Sequence, residues 1–169
     1  MPETRLSRLA TRLGERLQVQ GLRLATAESC TGGAVAAVIT DVPGSSAWFD
    51  RGFVTYSNAS KHDLLDVPAD LLEKWGAVSE AVVAAMTAGT LAHSPGVDLS
   101  VAVSGIAGPG GGTPEKPVGT VCLAWQRRGR SPTVLTVHLP GDRDAVREAT
   151  TALALEGLIR LLEEPAADK

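Results

Sequence analysis

The sequence predicts an α/β fold: a mixed, mostly parallel sheet of about five strands with helices on both faces. Three observations predict it. Segments of helical and strand periodicity alternate along nearly the whole chain. Two glycine-rich loops, Ala27-Glu28-Ser29-Cys30-Thr31-Gly32-Gly33 and Ser104-Gly105-Ile106-Ala107-Gly108-Pro109-Gly110-Gly111-Gly112, each follow an apolar run of strand type. Two late strand segments flank a short polar turn, which makes a hairpin and so an antiparallel part of the sheet.

Taken in order, Leu6, Leu9, Leu13 and Leu17 form a helical stripe, and Gly21 can end that helix. Residues 22–28 alternate as a short strand, and 32–40, small and apolar, form a helix with a tightly packed start. Pro43-Gly44 marks a turn. Residues 51–57, with Phe53, Val54, Thr55 and Tyr56, favour a strand. Asn58 is placed to cap a helix reaching about residue 65. A second helix runs from Pro68 to Gly76. Ser79 caps a third, with Val82, Val83, Met86 and Leu91 on its apolar side. Residues 98–104 are nearly continuous apolar, as in a strand buried on both faces. Strands at 118–126 and 133–139 form the hairpin around Gly129, and a long helix covers 142–162. Residues 163–169 form an expected tail, and the chain is expected to be one domain with its core at about 6–162.

Composition narrows the function. With 44% hydrophobic and 21% charged residues, 169 residues can bury a full core. A net charge of -3 argues against a nucleic-acid partner, which wants a basic face, but leaves a small anionic substrate open. Cys30 and Cys122 are too few for a disulfide framework, so reduced thiols and a cytoplasmic setting are expected. His62, His93 and His138 stand far apart, with no metal-ligand spacing, and no metal or organic cofactor is expected. No signal peptide and no membrane span are expected. A homodimer is the expected assembly, as for many small enzymes of this class.

Ligands of such sheets bind at the carboxyl ends of strands, where both glycine-rich loops lie. Ser29 sits at a strand-to-helix turn. Unpaired N–H groups there, from Thr31, Gly32 and Gly33, can hold an oxyanion or a phosphate beside the hydroxyl. Simple helix capping by Ser29 or Thr31 is the competing role. Lys61 falls in the first turn of a helix, where the dipole and burial both lower its pKa, and a neutral amine is a competent base for a serine hydroxyl. Tyr56 stands just before that helix and could relay a proton or hold the lysine. Cys30 is a rival nucleophile, but no histidine base is marked out for it. In the long loop Gly105, Ile106, Ala107 and Gly108 offer further backbone donors. Lys116 and Arg143 are the candidate cations for a substrate phosphate.

In sequence order these motifs resemble the family of CinA C-terminal domains and stand-alone nicotinamide-nucleotide amidases. The matching stretches are the first loop, then Gly44-Ser45-Ser46-Ala47-Trp48-Phe49, then Arg51-Gly52-Phe53-Val54-Thr55-Tyr56-Ser57-Asn58 with Lys61. Further on come Gly76-Ala77-Val78-Ser79, Ser104-Gly105-Ile106-Ala107-Gly108-Pro109, Lys116-Pro117-Val118-Gly119-Thr120, and Gly141-Asp142-Arg143 with Val146-Arg147. The resemblance implies a three-layer α/β/α fold and hydrolysis of the carboxamide of nicotinamide mononucleotide to nicotinic acid mononucleotide and ammonia. It implies Ser29 as nucleophile, with Lys61 and Tyr56 beside it. The competing reading is a non-catalytic nucleotide-binding or competence-related module. Such a module would be expected to have lost Ser29 or Lys61, and both are present.

Overall fold

The computed structural model describes residues 3–165. Of the expected tail, 166–169 lie outside the described residues. The elements are α1 (Arg5–Gln20), β1 (Leu24–Glu28), α2 (Ala34–Thr40), β2 (Phe49–Val54), α3 (Asn58–Leu65), α4 (Ala69–Trp75), α5 (Glu80–Ala92), β3 (Leu99–Gly105), β4 (Thr120–Arg127), β5 (Thr133–His138) and α6 (Arg143–Glu163). The sheet order is β2-β1-β3-β4-β5. β1 pairs in parallel with β2 and β3, and β4 is antiparallel to both β3 and β5. Four strands therefore point one way and β4 opposes them, as a hairpin grafted onto a parallel core requires.

Side-chain alternation divides the core into two layers around the sheet. Leu24, Val101, Val103 and Leu123 face α1, α2 and α6, where they meet Leu13, Val35, Ile39, Leu155 and Leu158. Each such fully buried leucine contributes about 2 kcal/mol. Ala27, Ala102, Cys122 and Ala124 face the other way, toward Leu65, Leu72, Val82, Val83 and Met86 of α3, α4 and α5. The small strand residues on this second face let α5 sit low on the sheet. α3 then packs against α5 at Gly89, where a Cβ would lie 1.9 Å from the Leu65 carbonyl oxygen. That close approach fixes α3, and with it Lys61, over the sheet.

The helix caps follow the sequence closely. Gly21 ends α1 in the left-handed region, and Ser79 and Asp142 cap α5 and α6 with their side chains. Two differences from the expected bounds bear on the site. Asn58 does not cap α3; Ser57 does, its hydroxyl accepting from the Ser60 N–H at 3.0 Å, so Asn58 is the first helical residue. β2 begins two residues earlier than expected and ends three earlier. Its start is set by the 3-10 turn Ser45–Ala47 and its end by the extended Ser57 cap.

Candidate active site

Register brings the site together. Glu28 pairs with Val54 on one side and Val103 on the other. The ladder continues one residue further through Ser29 N–H to Val103 C=O at 3.0 Å and Thr55 N–H to Glu28 C=O at 2.8 Å. Ser104 pairs with Cys122, and Cys122 with Thr136. Thr55, Ser29, Ser104, Cys122 and Thr136 therefore form one polar row across the sheet, on the face toward α3 and α5. Ser29 is held where β1 must turn sharply into α2. Gly32 and Gly33 make that turn with φ of +59° and +107°, a conformation that side chains oppose.

The buried carboxylate of Glu28 braces the turn from beneath. Its oxygens accept from the Thr31 hydroxyl at 2.5 Å and from the Val35 and Ala36 N–H groups at 2.8 and 3.1 Å. The first-turn donors of α2 are thereby occupied. Thr31, fully buried, uses its hydroxyl inward, and the Gly32 N–H bonds to the Ser29 carbonyl at 3.1 Å. Among the described residues the Cys30, Thr31 and Gly33 N–H groups have no acceptor. The turn, rather than the helix proper, offers the donors. From the opposite wall Arg147 donates to the Cys30 and Thr31 carbonyls at 3.1 and 3.2 Å.

Lys61 reaches Ser29 from α3. Its Nζ lies 2.9 Å from Ser29 Oγ, 2.8 Å from the Thr55 carbonyl and 3.1 Å from the Tyr56 carbonyl. The side chain is 0% exposed and Ser29 is 8% exposed. Burial pulls the amine down from 10.5 to about 8, opposed only in small part by the nearby Cys30 thiol. A neutral amine has two N–H donors and one lone pair. Two carbonyls can only accept, so they take both donors and leave the lone pair on the Ser29 hydroxyl. Cys30 is different: burial pushes its thiol up to about 11, so it stays protonated at neutral pH.

The remaining candidates surround this pair. Tyr56 contributes its carbonyl to Lys61, and the same oxygen lies 3.3 Å from Ser29 Oγ, an alternative acceptor for the hydroxyl hydrogen when Lys61 is protonated. Its ring is turned outward, 61% exposed, with the phenol oxygen 3.3 Å from Arg143 Nη2. Arg143 also donates to the Gly108 carbonyl at 2.8 Å, so it ties the long loop to the Tyr56 segment. Gly105 lies close against Cys30 and Val121; a Cβ there would be 3.2 Å from the Cys30 sulfur. Ile106 is committed through both backbone groups, its N–H to Thr120 and its carbonyl to Gly119. Ala107 and Gly108 have no N–H acceptor among the described residues. Lys116 stands apart, on the α4–α5 side, donating to the Trp75 carbonyl at 2.7 Å.

The sequence model of the CinA C-terminal domain matches residues 6–162. The chain belongs to the CinA C-terminal domain family. It is 52% identical over 162 residues to a nicotinamide-nucleotide amidohydrolase PncC of Enterobacter agglomerans, covering 95% of this chain and 97% of that one. It is 49% identical to the PncC of Escherichia coli K12, covering 94% and 95%. Among solved structures, the competence/damage inducible protein CihA of Agrobacterium tumefaciens superposes with a TM-score of 0.92 at 42% identity, covering 97% and 99%. No helix among the described residues is long and apolar enough to cross a membrane.

In this CinA C-terminal domain, sequence reasoning missed three contributors. Glu28 carried a usable signal, a carboxylate closing an otherwise uncharged strand. Arg147 lay within a matching motif but had no assigned contact. Thr55, fully buried, gives Lys61 its carbonyl, while its hydroxyl has no partner among the described residues.

Proposed function

We propose that this chain hydrolyses the carboxamide of nicotinamide mononucleotide to nicotinic acid mononucleotide and ammonia, with Ser29 as nucleophile and Lys61 as its base. The observation that carries the mechanism is the buried Lys61 Nζ at 2.9 Å from Ser29 Oγ with its two other contacts on carbonyls. With a pKa of about 8, roughly one lysine in ten is neutral at pH 7, some three hundredfold more than at 10.5. The curated names of close relatives, which specify this amidohydrolase, support the substrate.

Ser29 Oγ attacks the carboxamide carbon as its proton passes to Lys61 Nζ. The oxygen of the tetrahedral intermediate takes the N–H groups that lack acceptors in the Cys30–Gly33 turn, or those of Ala107 and Gly108. Collapse breaks the C–N bond, and ammonia leaves with the proton returned by Lys61. Water then attacks the Ser29 ester, gives its proton to Lys61, and releases the carboxylate with Ser29 restored. The pyridinium ring withdraws electrons from the carbonyl and speeds both attacks. Tyr56 takes part through its carbonyl, and its phenol, with Arg143, shapes the entrance.

Ammonia release from nicotinamide mononucleotide tests this directly. Ser29→Ala and Lys61→Ala are expected to lose nearly all turnover while remaining folded. Turnover that survives Ser29→Ala but not Cys30→Ala moves the nucleophile to the thiol. Binding of the nucleotide without turnover by the wild type assigns a non-catalytic module. A cytoplasmic homodimer completes the proposal. Two free cysteines support the compartment, and the solvent-facing edge strand β5, uncharged from Thr133 to Val137, supports pairing of copies. Light scattering of the purified chain tests the assembly.

A further inference from the structure

Ser29 has two flanks, and Lys61 occupies one of them. The sheet order is β2-β1-β3, so β2 lies on one side of Ser29 and β3 on the other. Lys61 works from the β2 side, where it is tied to the Thr55 and Tyr56 carbonyls just beyond that strand. On the β3 side stands Ser104. It is one step past Val103, the partner of Glu28, so it is level with Ser29 and on the same face of the sheet. Ser104 is 1% exposed, and its hydroxyl bonds to no described residue. Its polar neighbours are engaged elsewhere. Ser100, on the same strand and face, donates to the Thr87 carbonyl at 3.1 Å. Cys122, beside Ser104 on β4, turns its thiol to Thr136 Oγ1 at 3.4 Å. The partnerless hydroxyls of Thr26, Thr55 and Ser94 are sealed from solvent, whereas the little surface that Ser104 keeps is at its hydroxyl oxygen.

We infer that Ser104 is a further catalytic residue, its hydroxyl donating to the oxyanion that forms when Ser29 attacks the carboxamide; this rests on the amidase reading above. The tetrahedral carbon carries Ser29 Oγ, the leaving nitrogen, the oxyanion and the pyridinium ring. The nitrogen must face Lys61, which returns its proton, so it takes the β2 flank. The ring needs the open side of the pocket. The oxyanion is left with the β3 flank, over Ser104. Neighbouring strands are about 4.8 Å apart. The carbon on Ser29 Oγ, its oxygen, and one O–H···O bond of about 2.7 Å span that gap. A serine hydroxyl has one hydrogen that rotates to suit its acceptor. With no bond of its own to break, Ser104 gives up nothing when the oxyanion appears. Its burial keeps water from competing for a charge-assisted bond that a low-dielectric site strengthens. Ser104 adds a side-chain donor to the backbone N–H groups around it.

Ammonia release from nicotinamide mononucleotide and from its thioamide analogue tests the role. In Ser104→Ala, kcat for the carboxamide is expected to fall about hundredfold while KM stays within about twofold. The acidic limb of the rate profile is expected to keep its apparent pKa of about 8, because Lys61 and its carbonyls are untouched. Ser104→Thr keeps a hydroxyl and is expected to recover about tenfold of the loss. The thioamide puts a larger, weakly accepting sulfur where the oxyanion forms, so the carboxamide-over-thioamide rate ratio is expected to fall about tenfold in Ser104→Ala. A packing defect that displaces Ser29 slows both substrates alike and leaves that ratio unchanged, which overturns the assignment. So does a kcat within about twofold of the wild type, a loss confined to KM, or a shifted acidic limb. These are failures of the Ser104 role alone if the wild type releases ammonia. A wild type that releases none fails the amidase reading. The rate at which an alkyl fluorophosphonate labels Ser29 then decides the Ser104 role: slower labelling in Ser104→Ala supports it, and equal rates or no labelling in the wild type overturn it.

Discussion

A buried lysine that must be neutral to work has a thermodynamic signature, and Lys61→Met exposes it. The unfolded chain holds this proton up to 10.5, the folded chain only to about 8. Below about pH 8 both states are protonated and folding bears the full cost of burying the ammonium. Above 10.5 both are neutral and the cost is gone. Between the two the unfolded state binds more protons, so wild-type stability rises with pH. The full span of that rise is about 3 kcal/mol, at 1.36 kcal/mol per pKa unit.

Methionine keeps the stem and removes the titration. It also leaves the Thr55 and Tyr56 carbonyls without their donor, a cost that does not vary with pH. The diagnostic quantity is therefore the change with pH in the melting-temperature difference, wild type minus Lys61→Met. From about pH 7 to about pH 9.5 that difference should grow by about 2 kcal/mol. For a domain of this size that is about 4–8 °C. Groups common to both proteins cancel. Differential scanning calorimetry in matched buffers reads it. Parallel curves, with a constant difference across this range, would refute the depressed lysine and with it the neutral-base mechanism.

The rate profile should carry the same titration: kcat/KM for amide hydrolysis is expected to rise with pH along an acidic limb with an apparent pKa near 8, and stopped-time ammonia assays would show it. Glu28→Ala removes the acceptor of three donors beneath the nucleophile turn and is expected to cost about 3 kcal/mol in urea unfolding, with loss of turnover; Glu28→Gln should recover part of both. Gly89→Ala forces α3 from α5, because a Cβ meets the Leu65 carbonyl at 1.9 Å. It is expected to cost about 2 kcal/mol or more and to lower kcat by shifting Lys61. Thr55→Val deletes a buried hydroxyl without a partner and is expected to be neutral or stabilising by about 1 kcal/mol. Turnover should persist, because Lys61 uses the Thr55 carbonyl.

Much of the fold was legible because local signals agreed with one another. Leucine spacing marked α1, Gly21 its end, Ser79 and Asp142 the starts of α5 and α6, and Gly129 the hairpin. The boundary of β2 was not legible. Phe53 to Tyr56 have strand propensity throughout, but Ser57 needs an extended cap for α3, and tertiary demand for Lys61 over the sheet decides where the strand stops. In the site, Ser29, Lys61 and both loops were legible as residue types at strand ends. Which atom of Tyr56 meets Lys61 was not, since a carbonyl and a phenol share one position in the sequence. The Glu28 brace was hidden for a related reason. It depends on β1 placing that carboxylate on the α2 face while its neighbour Ser29 takes the opposite one.

That alternation is also the physical core of the mechanism. A strand sends successive side chains to opposite faces, so one dipeptide, Glu28-Ser29, serves both layers. The carboxylate goes to the α2 side, where it consumes the donors of the helix start and fixes the turn. The hydroxyl goes to the α3 side, where it meets a lysine supported by the Thr55 and Tyr56 carbonyls just beyond β2. A carboxylate on the same face as Ser29 would sit beside Lys61, favour the ammonium, and raise the pKa that burial lowers. Separating the two charges across the sheet lets Glu28 stabilise the turn while Lys61 stays neutral often enough to act as a base.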